Sequence, residues 1–330
     1  MPFLYAGYRR LVRVVAVLAC VGLVAILISR MGGDVVQVGL PLPPPPAPEI
    51  AVSDTFEFSV VSYNVQSRPW LDDTAEKLPK ISPLLAGHDV VAVQECFENH
   101  ALLWASSGYP NRAYFGSLVH PFKLANSGLS TLSRLPMGDV VMEHYRRHGE
   151  LQNRVASKGI LMTRFQAGQW TLDVYNTHME AGGKPEAQPA RMDQARQVVE
   201  LVTRNSPPEH AVILCGDFNM MPLRADRGSA EYNPKHFDSE EDWRGRTAAF
   251  QVMFEGLGLR DASDELFGPT REDIERFLFR APAGAELTPL SLEQDHQRFR
   301  REDGSALSDG SPYIARFRLS KANMAESAAP

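Results

Sequence analysis

Residues 211–219 read Ala-Val-Ile-Leu-Cys-Gly-Asp-Phe-Asn: five residues apolar on both faces, a glycine, then a carboxylate and an amide two positions apart. A run that is apolar at odd and even positions alike has no wet face. It predicts a strand over 211–217, in a sheet covered on both sides. Residues i and i+2 of an extended segment point the same way, so Asp217 and Asn219 face one direction at its end. In α/β sheets functional groups collect at strand ends, where the scaffold fixes their direction. Gly-Asp-Phe-Asn alone is also ordinary turn chemistry, so the reading depends on what the rest of the chain supplies.

Working outward, the segments 56–64, 90–94, 128–133, 160–165, 170–178, 276–280 and 313–319 also read as strands. Polar residues stand at their ends: Asn64 after the first, Glu95 after the second, His178 closing the 170–178 strand, and Asp309 ahead of the last. Residues 166–169 predict a hairpin turn. The clearest helix is 189–203, with Pro189 at its start and Met192, Ala195, Val198, Val199 and Val202 on one face. Residues 74–85 carry a weaker helical pattern that Pro79 and Pro83 should kink or interrupt. Residues 223–242 are polar and irregular and predict a long loop.

The ends of the chain behave differently. Residues 14–29 form an uncharged, mostly apolar run, extended to about 18 residues from Leu11 if Arg13 is tolerated, near the lower limit for spanning hydrocarbon. Arg9, Arg10 and Arg13 precede it and Arg30 follows, which places the N-terminus in the cytoplasm and the main domain outside. An uncleaved anchor over residues 11–29 and a cleaved signal peptide both fit. The anchor is favoured because no Ala-x-Ala site follows. A lipoprotein-like site at Cys20 is discounted because the apolar run continues past it. Residues 41–48 (PLPPPPAP) predict a polyproline spacer of about 3.1 Å per residue. The expected organisation is therefore 1–30 anchor or signal segment, 31–52 proline-rich linker, 53–320 one catalytic-type domain, and 321–330 tail.

The 330 residues carry a net charge of −6, and residues 51–330 alone hold 30 Lys and Arg against 38 Asp and Glu. No overall basic footprint marks a duplex-binding protein, and no stable nucleic-acid partner is expected. A groove built from Lys123, Arg134, Arg146, Arg147, Arg154 and Lys158 is the one local route to such a partner. Cys20, Cys96 and Cys215 form neither a zinc pattern nor a disulfide framework, and Cys96 and Cys215 are expected as buried thiols.

Carboxylates, amides and an imidazole converging at strand ends suit phosphoryl chemistry. Magnesium prefers one or two carboxylates, retained waters and phosphate oxygens. A further carboxylate can deprotonate water, and imidazole and amide donors can stabilise the charge that develops. The ordered set SYN (62–64), QE (94–95), SGLSTLSR (127–134), NTH (176–178), GDFN (216–219) and LSD (307–309) resembles the endonuclease/exonuclease/phosphatase superfamily. That resemblance covers about residues 56–319. It implies a single α/β domain, a four-layer sandwich of two packed sheets flanked by helices. It makes Glu95 the magnesium ligand, with Asn64 in its shell and manganese as an alternative ion. His178 would contact the scissile phosphate, Asp217 activate the attacking water, Asn219 position it, and Asp309 sit beside metal and water. Lys158-Gly159 at a strand start and SGLSTLSRLP are similar to the sphingomyelinase-like branch.

Two positions depart from the superfamily pattern. Its last motif ends Ser-Asp-His, and this chain reads Ser308-Asp309-Gly310. The motif whose Asp supports that histidine appears here as Asp273-Ile274-Glu275-Arg276-Phe277, and if Glu275 takes the Asp position, its partner has gone too. His296 would substitute only if its loop folded back. Position 310 itself resists a histidine if Gly310 holds a positive φ. The expectation is a membrane-tethered, divalent-metal-dependent phosphodiesterase or phosphatase acting on phospholipid head groups, with weakened or re-routed proton transfer. An extracytoplasmic nuclease and an inactive phosphate-binding protein are the alternatives.

Overall fold

The computed structural model describes residues 14–22, 38–39, 53–69, 71–116, 125–221, 239–269 and 273–322. Its elements are α1 (14–22), β1 (Val38–Gly39), β2 (Thr55–Ser67), α2 (Thr74–Leu84), β3 (Val90–Cys96), α3 (His100–Ala105), β4 (Asn111–Phe115), β5 (Leu129–Ser133), β6 (Met137–His144) and α4 (Leu151–Val155). There follow β7 (Gly159–Ala167), β8 (Trp170–His178), α5 (Ala187–Asn205), β9 (Ala211–Asp217), α6 (Glu240–Leu257), β10 (Arg260–Asp261), α7 (Ala262–Phe267), β11 (Glu275–Arg280), β12 (Ala285–Gln294) and β13 (Tyr313–Lys321).

The strands form two sheets, ordered β1-β4-β5-β3-β2-β13-β12 and β10-β11-β9-β8-β7-β6. Alternation along each central strand explains why there are four layers. Val60 of β2 and Val90 and Ala92 of β3 turn inward, onto Val174, Ile213, Phe277 and Phe279 of the second sheet. Their neighbours Val61, Tyr63, Val91 and Val93 turn outward, under Leu78 and Ile81 of α2 and Leu103 and Trp104 of α3. On the far side Tyr175, Val212 and Leu214 pack beneath Val198, Leu201 and Val202 of α5 and Phe250 and Met253 of α6. A strand apolar on both faces needs exactly such cover, because each face contacts a different layer.

Polar groups also cross the sheet-to-sheet interface. Fully buried Gln94 of β3 donates through Nε2 to Oδ1 of fully buried Asn176 on β8, at 2.7 Å. Asn176 in turn donates to the carbonyl oxygens of Val93 and Ser130, both at 3.0 Å. These bonds fix how far one sheet slides over the other. Each sheet holds one parallel pair, β2–β3 and β8–β9, and the ends of both pairs meet at the same edge of the sandwich.

Most predicted elements are present with bounds shifted by one to three residues. The 166–169 turn is a two-residue hairpin between β7 and β8, with Gly168 at φ +61°. Helix α2 includes both Pro79 and Pro83 and is not interrupted. Leu78, just before the first proline, and Ile81, between the two, anchor it by burial under the first sheet. Residues 240–242, expected in a loop, open α6, where the Ser239 side chain accepts from the Asp242 N–H and caps the helix. Residues 223–238 of that predicted loop lie outside the described residues, as do residues 23–29 of the apolar N-terminal run. Residues 14–22 are helical; among the described residues no helix is long and apolar enough to cross a membrane. Cys96 and Cys215 are buried free thiols.

Asn176→Leu removes two donors and one acceptor from a dry interface, leaves Gln94 Nε2 only its 3.3 Å contact with the Ala92 carbonyl oxygen, and takes a donor from two further carbonyls. A buried hydrogen bond contributes about 0.5–1.5 kcal/mol, so loss of the three should cost the variant about 2–4 kcal/mol of stability in urea denaturation. A loss within about 0.5 kcal/mol, the range of neutral surface changes, would show that the clamp does not hold the sheets.

Candidate active site

At the shared edge, the end of β2 brings Asn64 to the end of β3. Asn64 Nδ2 donates to Glu95 Oε1 at 3.1 Å and lies 3.4 Å from Asp217 Oδ2, so it ties the two sheets' carboxylates together. A β-bulge sets this geometry: between Asn64 and Ser67 strand β2 takes three steps where β3 takes two. Bulges re-aim side chains. Here Gln66 is turned outward and its Nε2 donates to Asp309 Oδ2 at 2.9 Å. Ser308 Oγ donates to the Asn64 carbonyl oxygen at 2.7 Å, which seats the 307–309 turn on the same bulge.

Backbone strain concentrates here. Gln66 (φ 49°), Glu95 (φ 54°) and Asn219 (φ 50°) are three of the four non-glycine residues with positive φ among those described. Such conformations cost about 1–3 kcal/mol each for residues with a Cβ, and they persist only where surrounding contacts impose them. Gly216 has a different reason for its φ of +131°: a Cβ there would run into the carbonyl oxygen of Thr177. Only glycine lets β8 and β9 approach immediately before Asp217.

His178 lies between the carboxylates, with Nδ1 3.9 Å from Glu95 Oε1 and Nε2 3.6 Å from Asp217 Oδ2. A residue named from the sequence only as a groove base and as part of the Lys158-Gly159 strand start holds the ring. Lys158, 4% exposed, places Nζ 2.9 Å from His178 Nε2 and 3.0 Å from the Met179 carbonyl oxygen. An ammonium has only donors, so Nε2 accepts and the ring proton sits on Nδ1. Among the described residues Nδ1 has no hydrogen-bond partner, and it is turned to the Glu95 side. Burial, and after it the Lys158 charge, holds the His178 pKa well below the usual histidine value. Burial pushes Asp217 up to about 6, with Glu95 adding to the rise and Lys158 opposing it. The backbone N–H of Asn219 donates to Asp217 Oδ1 at 3.0 Å, and its side chain lies 3.4 Å from the Met179 carbonyl oxygen.

Of these groups Glu95, Lys158 and His178 line a cleft of about 660 Å³. Its walls are largely apolar, with Leu71, Phe97, Val155 and Ala156 among them. The bases that would make a groove are committed elsewhere. Arg146 pairs with Glu200 and Glu143, Arg147 with Asp193, Arg154 with the Gly149 carbonyl, and Arg134 stacks over Tyr109. Lys158 is buried on His178, and Lys123 lies outside the described residues. His296 does reach the neighbourhood of position 310, but its exposed ring bonds to Ser311 Oγ at 3.2 Å. The expected strain at Gly310 is absent. Its φ is not positive, and a Cβ there would meet only Glu275 Oε1, at 3.9 Å.

The donor set fits a hard divalent cation. Glu95 Oε2 is closed off from solvent and has no hydrogen-bond partner among the described residues, so it is an oxygen that a cation would satisfy. Among the described residues no three His, Cys, Asp or Glu side chains form a ready-made cage. Magnesium does not need one, since it keeps waters and takes the rest of its shell from a substrate phosphate.

A two-sheet sandwich with carboxylates, amides and a neutral imidazole at one edge defines a protein of the phosphate-ester-directed class. The chain belongs to the Endonuclease/Exonuclease/phosphatase family, whose sequence profile matches residues 61–282. It is 27% identical over 279 residues to proteins named sphingomyelinase from Mycobacterium tuberculosis and Mycobacterium bovis, an alignment covering 82% of this chain. The chain spans about half the length, 54%, of those relatives. Sphingomyelinase C from Streptomyces griseocarneus superposes with a TM-score of 0.54 at 21% identity, over 79% of this chain and 99% of that one. A Staphylococcus aureus beta toxin with bound magnesium ions gives 0.55 at 15% identity, over 78% and 99%. D. rerio TDP2 complexed with single strand DNA product also gives 0.55, at 16% identity, over 79% and 98%.

Lys158→Met keeps the bulk of the side chain and removes the charge beside the imidazole. The His178 pKa should rise in the variant while staying below the ordinary value, because burial remains. An NMR titration of the ring reads this directly, and an unchanged pKa would mean that Lys158 does not hold the ring in solution.

Proposed function

We propose that the chain is a divalent-metal-dependent phosphodiesterase that acts on phospholipid head groups and is held at a membrane by residues 11–29, with its main domain outside the cytoplasm. The observation that carries the lipid reading is the cleft. Its walls beside Glu95 and His178 are mainly apolar, and the arginines that would attract a polyphosphate backbone are spent in ion pairs and hydrogen bonds. The sequence similarity to proteins named sphingomyelinase supports the same substrate class.

In this reading Glu95, with Asn64 beside it, would hold magnesium or manganese, which when bound would draw charge from the phosphate oxygens. His178 presents its Nδ1–H to the phosphate, and Lys158 keeps that tautomer in place. Asp217, raised to about 6, is basic enough to take a proton from the attacking water. Asn219 fixes where that water stands, and Asp309, tied to Gln66, closes the outer side. The cleft's apolar walls keep bulk water from these groups and so strengthen their electrostatic effect.

Three measurements check this. With magnesium, the protein should hydrolyse sphingomyelin or a generic phosphodiester in preference to plasmid DNA; preferred cleavage of DNA would favour the nuclease reading, and binding without turnover the inactive one. Glu95→Ala should abolish magnesium-dependent thermal stabilisation, and equal stabilisation of parent and variant would remove Glu95 from the metal site. A C-terminal alkaline phosphatase fusion should be active, and an inactive fusion would overturn the orientation.

A further inference from the structure

Leu71 and Leu151 are 75% and 76% exposed, more than any other large apolar side chain described. A single exposed leucine is ordinary on a protein surface, but these two stand at one place. Leu71 lines the cleft beside Glu95. Leu151 opens α4, whose following residues Gln152, Asn153 and Val155 line the same cleft. The large apolar side chains described on α1, from Val14 to Val21, are more than half exposed as well.

The chain enters the domain on the same side. β1 pairs antiparallel with β4, with Val38 opposite Arg112 and Gly39 opposite Asn111. Across the sheet Arg112 lies level with Leu132, Val91 and Val61. Asn64, at the site, is three residues along β2 from that level, and Thr55, at the opposite end, is six. At about 3.3 Å per residue the entry point stands about 10 Å from the site edge and about 20 Å from the other. The direction agrees. β4 advances toward the site edge, since its last residue, Phe115, pairs with Leu129 at the start of β5, next to the Gly128 carbonyl that accepts from the Cys96 N–H. β1 is antiparallel to β4, so the chain comes into it from the site side.

This pairing also takes the proline-rich run out of the tether. Residues 41–48 follow β1 and precede β2, two strands of one sheet, so they do not lengthen the path to the apolar segment. The path from Ser29 to Val38 is nine peptide steps. Such a length reaches about 30 Å. Toward the site edge it spans the remaining sheet and leaves about 20 Å for the head-group layer. Toward the other end the chain would first have to reverse.

We infer that the active-site edge faces the leaflet of phospholipid in which the chain's own N-terminal segment is anchored, with Leu71 and Leu151 entering its apolar boundary. The inference rests on the anchor reading of residues 11–29 given above. Leucines that enter the acyl boundary leave water, which is favourable in proportion to the area covered. The short tether keeps the cleft at the surface that holds it, so lipid head groups of that leaflet meet Glu95 and His178 without leaving the bilayer.

The test uses the full chain carrying Cys20→Ser, in which the remaining cysteines, Cys96 and Cys215, are buried. Leu71→Cys, Leu151→Cys and, at the opposite end of β8 from His178, Gln169→Cys each take a bimane label. All three positions are exposed, so no packing is lost. Each protein is reconstituted into vesicles of phosphatidylcholine and sphingomyelin, with or without phosphatidylcholine that carries a spin label high on its acyl chain. The labels at 71 and 151 should lose emission to the spin-labelled lipid, and the label at 169 should not. Quenching at 169, or at none of the three, in protein that floats with the vesicles would overturn the facing and leave the anchor standing. Blue-shifted emission at 71 and 151 without quenching would show that protein covers the leucines, and would also overturn it. Protein that does not float would overturn the anchor, and this inference with it. None of these readouts needs turnover, so an inactive protein would count against the phosphodiesterase reading alone.

Discussion

The hydrogen bond between Gln94 and Asn176, buried between the two sheets, fixes what the rest of the site requires. Glu95 follows Gln94 by one residue and His178 follows Asn176 by two, so this bond and its two carbonyl contacts set the distance between a carboxylate on one sheet and an imidazole on the other. Apolar packing alone tolerates small sliding of one layer over another, because methyl contacts are non-directional. A dry amide pair does not, since a shift of an ångström would leave buried donors and acceptors unpaired. The residues flanking the two strand-end motifs thus serve the geometry, and the residues at the tips serve the chemistry.

The same edge concentrates costs that a purely structural edge would avoid. Glu95 and Gln66 hold positive φ, Glu95 Oε2, His178 Nδ1 and Glu275 Oε2 lack hydrogen-bond partners among the described residues, and Lys158 is buried against a neutral ring. None of these improves stability, and local rules fail together most often at sites selected for function. Burial is the first-ranked cause behind the shifts of Lys158, His178, Asp217 and Glu275. Removing water makes each charge expensive, so the four groups settle into a pattern of one cation, neutral imidazole and carboxyls that hold protons unusually tightly.

The fold was legible where strands are covered on both faces, because 170–178 and 211–217 are apolar enough to stand out at any register. It was not legible at β4, β6 and β12. In β12 exposed and buried residues alternate irregularly around a bulge at Pro289–Ser291, and β6 has no fully buried residue. Edge strands carry such diluted patterns because one side meets solvent. At the site, Asn64, Glu95, His178, Asp217 and Asn219 were found by their place at strand ends, and the structure brings them together. Lys158 was read among surface bases because its partner is a ring twenty residues away. The register of Ile160 against Thr177, which would have pointed to it, appears only once β7 and β8 are paired. Glu275 was visible as a departure from a motif, but its place opposite Asp217 rests on a long-range pairing that no local pattern encodes.

The solved structures that share this sandwich include one that holds a DNA product and one named a sphingomyelinase, so the layers do not decide what is bound. The decision falls to side chains at the rim, and there electrostatics gives a consistent argument. A chain with more acids than bases repels a polyanion unless bases are gathered near the reacting phosphate. In this protein Arg146 and Arg147 are held on the α5 side by Glu200 and Asp193. Arg154 turns back onto its own loop. The surface left beside Glu95 is mainly Phe97, Val155, Ala156 and a highly exposed Leu71, and the one arginine that lines it, Arg68, is paired with Asp72 at 2.8 Å. Such a wall gains free energy by covering hydrocarbon and gains none by lying along a phosphodiester backbone. A ligand with one phosphate near Glu95 and an apolar body against the wall satisfies both halves of the cleft. An N-terminal tether would raise the local concentration of that kind of ligand without any further contact.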